Sequence, residues 1–246
     1  MAVLVLSLVG GRFLAAEAGP SAPLHWAAPA DIDQVMPPVR TDIPCPLPEL
    51  LQGASDGVER LVHDLHRFSA RERVELIEIS RRGNPHKTGK NNFNYVAQIN
   101  QAATGSPSVE EYRTSSSPIL GAGQMIDTGT PAFALILHPY FIGDFAIVCE
   151  GLADVGNRAA WQIHFAQNLN RSNLFHVYRV ENTYYPAKLK GRVWIAADNF
   201  EVLRLQTDLL EPIGQIRLQR EHSDIKYGVV EFGKWNVRLW LPQTTE

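Results

Sequence analysis

Two β-rich runs, Gly191-Arg192-Val193-Trp194-Ile195-Ala196-Ala197-Asp198 and Glu201-Val202-Leu203-Arg204-Leu205-Gln206-Thr207-Asp208, follow one another in the last third of the chain. The Asp198-Asn199 turn signal joins them, so we expect an antiparallel hairpin. From Tyr184 to Leu241 the sequence continues as strands separated by turn signals, with almost nothing helical. This pattern predicts a mainly β (α+β) fold.

Upstream of the hairpin, the sequence adds two helices to further strands. Apolar residues spaced by three and four between Leu47 and Phe68 predict an amphipathic N-terminal helix. Thr130-Pro131 is a helix start, and the apolar run Ala132–Leu137 after it predicts a second, buried helix. The other predicted strands cover residues 71–79, 92–99, 145–149, 161–165, 215–222 and 235–241.

Length and composition are those of an ordinary globular protein. A chain of 246 residues is long enough for one well-buried domain. Its residues are 45% hydrophobic and 20% charged, which is typical neither of disorder nor of a membrane-spanning protein. The formal net charge is −3, and the sequence has no basic stripe or nucleic-acid-binding motif. We therefore expect no nucleic-acid partner.

The N-terminus reads as an export signal. The apolar run from Ala2 to Gly10 is too short for a stable transmembrane anchor, and Ala16-Glu17-Ala18 is an A-x-A cleavage signal. We predict a signal peptide at residues 1–18 and a periplasmic or secreted protein. No positive charge precedes the apolar run, which leaves open a true start codon further upstream. Residues 19–46 are rich in proline and predict a flexible linker, and residues 47–246 form the single domain.

The chain has two cysteines, Cys45 and Cys149. Behind a leader, an even pair of cysteines predicts a disulfide, whereas in a cytosolic protein both would be free thiols. Neither cysteine belongs to a Cys-x-x-Cys motif, so thiol exchange is not indicated.

No motif in the sequence specifies a reaction, and we expect no catalytic residues, no metal and no cofactor. The ionisable candidates are the helix pair His63 and His66, the strand pair His164 and His176, and the alternating Glu72, Glu75 and Glu78. Each histidine pair lacks a third ligand, so a solvated or hydrogen-bonded pair is favoured over a metal site. The glutamates alternate with arginines, which is more typical of ion pairs on a wet or edge face than of acid–base catalysis.

Aromatic residues on one face of the strands are the remaining signal. Such side chains can line a cavity for an apolar ligand, although plain core packing is the alternative. The candidate cavity residues are Phe93, Tyr95, Phe133, Trp161, Phe165, Trp194 and Trp235.

The hairpin carries a resemblance to a known fold. The runs Gly191–Asp198 and Arg204–Asp208 resemble the half-barrel of the periplasmic lipoprotein-localisation factors and their sigma-regulatory relatives. A closer resemblance, to a group of secreted bacterial proteins of unassigned activity, rests on Phe68–Glu75, Gly129–Ile136, Cys149–Leu152 and Leu239–Pro242. The resemblance implies a curved antiparallel sheet whose concave face receives the N-terminal helix and one inserted helix. It also implies an apolar cavity there, which the localisation factors use for acyl chains.

Three functional hypotheses follow. The first is a periplasmic or secreted binding module that holds a lipid, a lipoprotein acyl chain or another apolar ligand non-covalently. The second is an envelope protein-interaction or sensing domain without a ligand, which a filled core would favour. The third, a hydrolytic enzyme, has the least support because no catalytic motif accompanies it.

Overall fold

The structure is a computed structural model that describes residues 2–8, 26–64, 66–115, 132–171, 176–232 and 237–246. It is mainly β, with curved antiparallel sheets that do not close into a barrel, an N-terminal helix and one further helix. The predicted fold class is therefore confirmed. No described helix is long and apolar enough to span a membrane.

Twelve strands lie within the described residues. They are β1 (Ala2–Leu8), β2 (Arg67–Ile79), β3 (Pro85–Gln101), β4 (Pro107–Thr114), β5 (Phe145–Val155), β6 (Arg158–Gln167), β7 (Val177–Val180), β8 (Thr183–Pro186), β9 (Leu189–Ala196), β10 (Val202–Leu209), β11 (His222–Phe232) and β12 (Val237–Thr245). Ten of them form one sheet in the order β4-β3-β2-β1-β12-β11-β10-β9-β6-β5, and β7 and β8 form a separate hairpin.

The predicted hairpin is present as β9 and β10. Its register places Val193 opposite Leu205 and Trp194 opposite Arg204. Because successive side chains of a strand point to opposite faces, Val193 and Ile195 face one side of the sheet and Trp194 faces the other. We call these sides the inner face and the outer face.

The helices lie against the inner face. Helix α1 (Leu47–Asp64) buries Leu50, Ala54, Val58 and Val62, which recur every four residues along one side of the helix. The second predicted helix is a 3-10 helix, Ala132–Leu137, which is followed by the short helix α2 (Pro139–Ile142). We call residues 132–142 the cover segment. Together, α1, the cover segment and the inner face form the main hydrophobic core.

One predicted strand is wrong. The structure has a 3-10 helix at Gly214–Ile216 in place of the strand predicted at 215–222, and β11 begins only at His222. The backbone groups of Ile213 and Leu218 bond to each other, with N–O distances of 2.8 and 3.1 Å. This tight turn satisfies locally the groups that a continuous strand would have offered to its neighbours.

The predicted linker is described from residue 26 onward, and there it follows the sheet. Arg40 exchanges backbone hydrogen bonds of 2.8 and 2.9 Å with Leu152 of the edge strand β5. A Cβ atom at Gly151 would lie 2.6 Å from the Arg40 carbonyl oxygen, so glycine permits this approach. The predicted disulfide between Cys45 and Cys149 is confirmed. We call residues 26–46 the strap.

Candidate functional site

The predicted cavity residues are divided among several places. Tyr95, Trp161 and Phe165 share the main core with α1 and the cover segment, and each is at most 6% exposed. Trp194 belongs to a smaller cluster on the outer face. Phe93 is in phase with Tyr95 along β3 but lies in a separate two-residue cluster. The backbone of Phe133 lies in the 3-10 helix, its side chain is outside the description, and Trp235 lies outside the described residues.

The cover segment presents an unbroken apolar run to the core. Residues 134–137 are all buried, and the 3-10 helix contacts α1, β4 and β10. A 3-10 helix has poorer hydrogen-bond geometry than an α-helix. Burial of its apolar side chains is therefore the main interaction that holds this segment on the sheet.

His138 joins the two parts of the cover segment. Its Nδ1 accepts a hydrogen bond of 3.1 Å from the Tyr140 N–H and so caps α2, with Pro139 at the first helical position. Burial lowers the pKa of His138, which favours the neutral ring. Because Nδ1 is the acceptor, the proton of the neutral ring resides on Nε2. This buried N–H has no partner among the described residues.

Other buried polar atoms also lack a partner within the described residues. They are Thr207 Oγ1, Gln167 Nε2 and the hydroxyl of Tyr227. Thr207 lies on the inner face, in phase with Leu205. An unpaired buried polar group costs about 1 to 3 kcal/mol, so such groups are rare in native proteins. A few polar groups in an apolar surrounding are what small-molecule sites use to orient a ligand.

A buried charged cluster occupies the inner face of β2, β3 and β4. Arg113 donates two hydrogen bonds to the Glu72 carboxylate, of 2.8 and 3.0 Å, and one of 3.3 Å to Glu111. The Tyr95 hydroxyl donates to the other Glu111 oxygen at 2.6 Å. Both carboxylates are fully buried, and the guanidinium carbon lies 5.0 Å from the centre of the Tyr95 ring.

Burial controls the protonation of this cluster. It raises the pKa of Glu72, although Arg113 acts in the opposite direction. It also raises the pKa of Tyr95, and the neighbouring Glu111 adds to that effect. Burial disfavours the Arg113 charge, but the hydrogen bonds that Arg113 donates to Glu72 and the negative charge of Glu111 offset this effect and raise the pKa of Arg113. The arginine thus stays charged and holds the two carboxylates as a buried ion-pair network.

From the sequence, Glu72 was predicted to lie on a wet or edge face with Glu75 and Glu78. Its position is instead in phase with Phe68 and Ala70, which pack in the core. Side chains two residues apart on a strand point to the same face, and this alternation could have identified Glu72 as an inward-facing residue.

A second charged cluster on the outer face fixes the strap. Lys190 donates to Asp31 at 2.7 Å and to Asp33 at 2.5 Å. Arg192 donates to the Ile32 carbonyl at 2.5 Å and binds the Glu150 carboxylate through two nitrogens, at 2.7 and 2.9 Å. The contacts of Lys190 and Arg192 with residues 31–33 anchor the strap on β9, and Glu150 of β5 holds the Arg192 side chain in place.

The two predicted histidine pairs are also placed. His164 contacts Asp33 of the strap at 2.9 Å, whereas His176 contacts Glu221 at 3.1 Å. His63 is exposed on α1, and His66 is exposed just after it. Within the described part of the chain, no group of three or more His, Cys, Asp or Glu residues could hold a metal ion.

A small polar pocket of about 250 Å³ lies where the strap meets the segment after β10. Asp31 and Gln34 line it from the strap, and Asp208, Arg220 and Glu221 line it from the other side. Typical ligand pockets measure about 300 to 1,000 Å³ and are mainly apolar. This pocket is therefore a poor match for a lipid.

Comparison with known proteins gives no relative: no protein-family model, no curated protein and no solved structure matches the chain. The resemblance to the lipoprotein-localisation factors thus remains a prediction, and the function rests on the geometry of the chain itself.

The strap anchor makes stability dependent on pH. The hydrogen bond from Lys190 lowers the pKa of Asp31. Burial would raise the pKa of Asp33, but hydrogen bonds from Lys190 and His164 lower it. Carboxylates with a lowered folded pKa add stability above the unfolded value, about 3.9, and this stability is lost as the pH falls through the folded value. The pKa of Lys190 is raised, so its contribution is lost only as the pH rises above about 10.4.

We therefore expect the melting temperature to fall as the pH drops below about 4, and the double variant Asp31→Asn/Asp33→Asn to show a weaker dependence. Thermal melts from pH 7 down to about 2.5 measure it. Asp154→Asn, at an exposed position of β5, is the matched control and should keep the wild-type profile. An unchanged profile in the double variant would contradict a role of these aspartates in the anchor.

Proposed function

We propose that this protein is an exported binding domain that holds a lipid acyl chain or another apolar molecule between the inner face of its sheet and the cover segment. No cofactor and no covalent step are part of this proposal. The observation that carries it is the run of four consecutive buried residues, 134–137, which lie in a 3-10 helix and share one core with the aromatic residues of the inner face. The same apolar surface can be covered by this segment or by a ligand, so displacement of the segment would open a site.

Two further observations support the proposal. Tyr95, Trp161 and Phe165 lie on strands from both halves of the sheet and give one aromatic inner face. The buried Thr207 hydroxyl lies on β10, which contacts the 3-10 helix, and the buried His138 Nε2–H follows that helix. They offer an acceptor and a donor to a polar head group. A mostly apolar site with few polar groups is the usual composition of a site for such ligands.

Export is the second part of the proposal. A disulfide-bonded β fold fits a secreted protein, because disulfides persist in oxidising compartments. We propose that residues 1–18 act as a signal peptide and that the protein acts in the periplasm or outside the cell.

The test compares two tryptophans on opposite faces. Trp161→Ala should lower the affinity for a fluorescent fatty acid several-fold. It should lower the free energy of unfolding by less than the roughly 3 to 5 kcal/mol that is typical of a large-to-small core change. Trp194→Ala, on the outer face, is the matched control. It should cost about 3 to 5 kcal/mol and leave the affinity unchanged. For both variants, urea unfolding measures the loss of stability and titration with the fluorescent fatty acid measures the affinity.

A protein-interaction domain without a ligand is the second candidate. It is favoured by the present burial of Tyr95, Trp161 and Phe165, which leaves each of them at most 6% exposed. If Trp161→Ala costs the full amount and the wild-type protein binds neither the probe nor a co-purifying lipid, this second candidate replaces the first.

A further inference from the structure

Strand β1 is the link between the two parts of the large sheet. All seven of its residues pair with β2, from Ala2 opposite Glu78 to Leu8 opposite Glu72. Leu6 and Ser7 also pair with Thr245 and Thr244 of β12. In the described residues, β2 and β12 have no pairing with each other. Without β1, a gap one strand wide would separate them.

The residues of β1 are also part of the predicted signal peptide. Removal of residues 1–18 would leave the backbone N–H and C=O groups of residues 72–78 on that side of β2 without their partners. An unpaired strand edge is a template on which another extended segment can pair. We propose that the exported protein accepts an extended, uncharged segment of a partner protein as a strand between β2 and β12. This inference rests on the export proposed above and is independent of ligand binding.

The chemistry of the partner segment follows from the slot. Its present occupant, Ala-Val-Leu-Val-Leu-Ser-Leu, is uncharged and has β-branched residues at Val3 and Val5, which favour strands. Along residues 72–78, β2 carries Glu72, Glu75 and Glu78 as well as Arg73. Arg113 pairs with Glu72 and Lys90 pairs with Glu75, so the stretch offers no strong field of one sign that would select a charged segment. The best partner is therefore a segment of about seven uncharged residues that includes β-branched side chains, because such a segment forms a strand readily and needs no opposite charge on β2.

The chain's own new N-terminus is a poor substitute. Trp26 donates a backbone hydrogen bond of 3.2 Å to the Gly83 carbonyl, in the turn that follows β2. Residues 19–25 contain Pro20 and Pro23, however, which lack the N–H that a strand between two neighbours must donate. A separate chain supplies a better strand.

The experiment uses protein exported with its own leader, with the loss of residues 1–18 verified by intact mass. The probe is a synthetic peptide of residues 2–8 with added C-terminal lysines for solubility. We expect saturable binding by fluorescence anisotropy and a melting temperature that rises with peptide concentration. Hydrogen exchange should slow at residues 72–78 and at Thr244 and Thr245.

The control is the same peptide with Val5→Pro and Leu6→Pro. Neighbouring residues of a strand direct their N–H groups to opposite sides, so these two prolines remove one donor towards each flanking strand. We expect this peptide to bind at least about tenfold more weakly, because donors lost on both sides leave acceptors unpaired.

Several outcomes would overturn the inference. Retention of residues 2–8 in the exported protein would also refute the proposed leader. Absence of binding, or equal binding of the proline peptide, would refute only the strand slot. Protection of α1 and the cover segment with no protection of β2 would place the peptide in the proposed ligand site. A dimer of the processed protein with β2 protected would assign the slot to a second copy.

Discussion

Replacement of both Cys45 and Cys149 by serine is expected to lower the free energy of unfolding by about 2 to 5 kcal/mol. The bond closes a loop of 104 residues, which includes α1 and strands β2, β3 and β4. In the chain-entropy view, a crosslink over a loop this long removes many conformations of the unfolded chain, at most about 4.7 kcal/mol. It also fixes the end of the strap beside the Arg40–Leu152 pair. A protein of this size should lose roughly 5 to 15 °C in melting temperature.

Denaturant unfolding of the double serine variant and of reduced wild-type protein gives two independent measurements of this effect. The two should agree, because both remove the same crosslink. Hydrogen exchange at Arg40 and Leu152 should quicken in both. If the oxidised wild type, the reduced wild type and the double serine variant had free energies of unfolding within about 0.5 kcal/mol of one another, the bond would not stabilise the fold. Ordinary surface substitutions cause changes of that size.

Arg113→Met is expected to cost about 3 to 5 kcal/mol at neutral pH, because it leaves two fully buried carboxylates without a counter-charge. The apolar methionine replaces the volume of the side chain but none of its donors. Burial raises the pKa of Glu72, and the loss of Arg113 removes the interaction that lowers it. A group with a raised folded pKa binds protons more tightly when folded, so the variant should regain stability as the pH falls from 7 towards 5.

Urea unfolding across this pH range measures the effect, with two further variants for comparison. Arg238→Met removes an arginine from the exposed Glu231 pair and should change stability by less than about 0.5 kcal/mol. Adding Glu72→Gln to Arg113→Met should recover part of the loss, because it removes one of the uncompensated charges. A single variant as stable as wild type, or one with no gain at lower pH, would contradict a structural role for this network.

The antiparallel hairpin of β9 and β10 could be predicted because its signals are local. Alternating residues and a turn dipeptide set the pairing over a short loop, where closure costs little entropy. The amphipathic helix α1 was equally local, since its four-residue spacing lies within one segment. The disulfide followed from simpler information, the even number of cysteines behind a leader.

The candidate site depends on contacts between distant residues, which local sequence patterns do not predict. Trp161 and Trp194 both lie in predicted strands, yet strand pairing puts them on opposite faces of the sheet and in different clusters. Glu72 is buried because Arg113, forty-one residues later, is brought beside it by β3 and β4. A proline-rich stretch is attached to the sheet because Lys190 and Arg192, more than 150 residues away, donate hydrogen bonds to its carboxylates and carbonyls.

The sequence by itself determined the strand-rich class, the first helix and the cysteine pair. Hydrophobic periodicity and turn residues are local signals, and an even number of cysteines can be counted without knowing the fold. Only the tertiary structure decided which face each strand turns to the core, which charges are buried and what lies beside β2. Those features arise from pairing between strands far apart in the chain. A shift of one residue in that pairing would exchange the inner and outer faces without changing the local pattern.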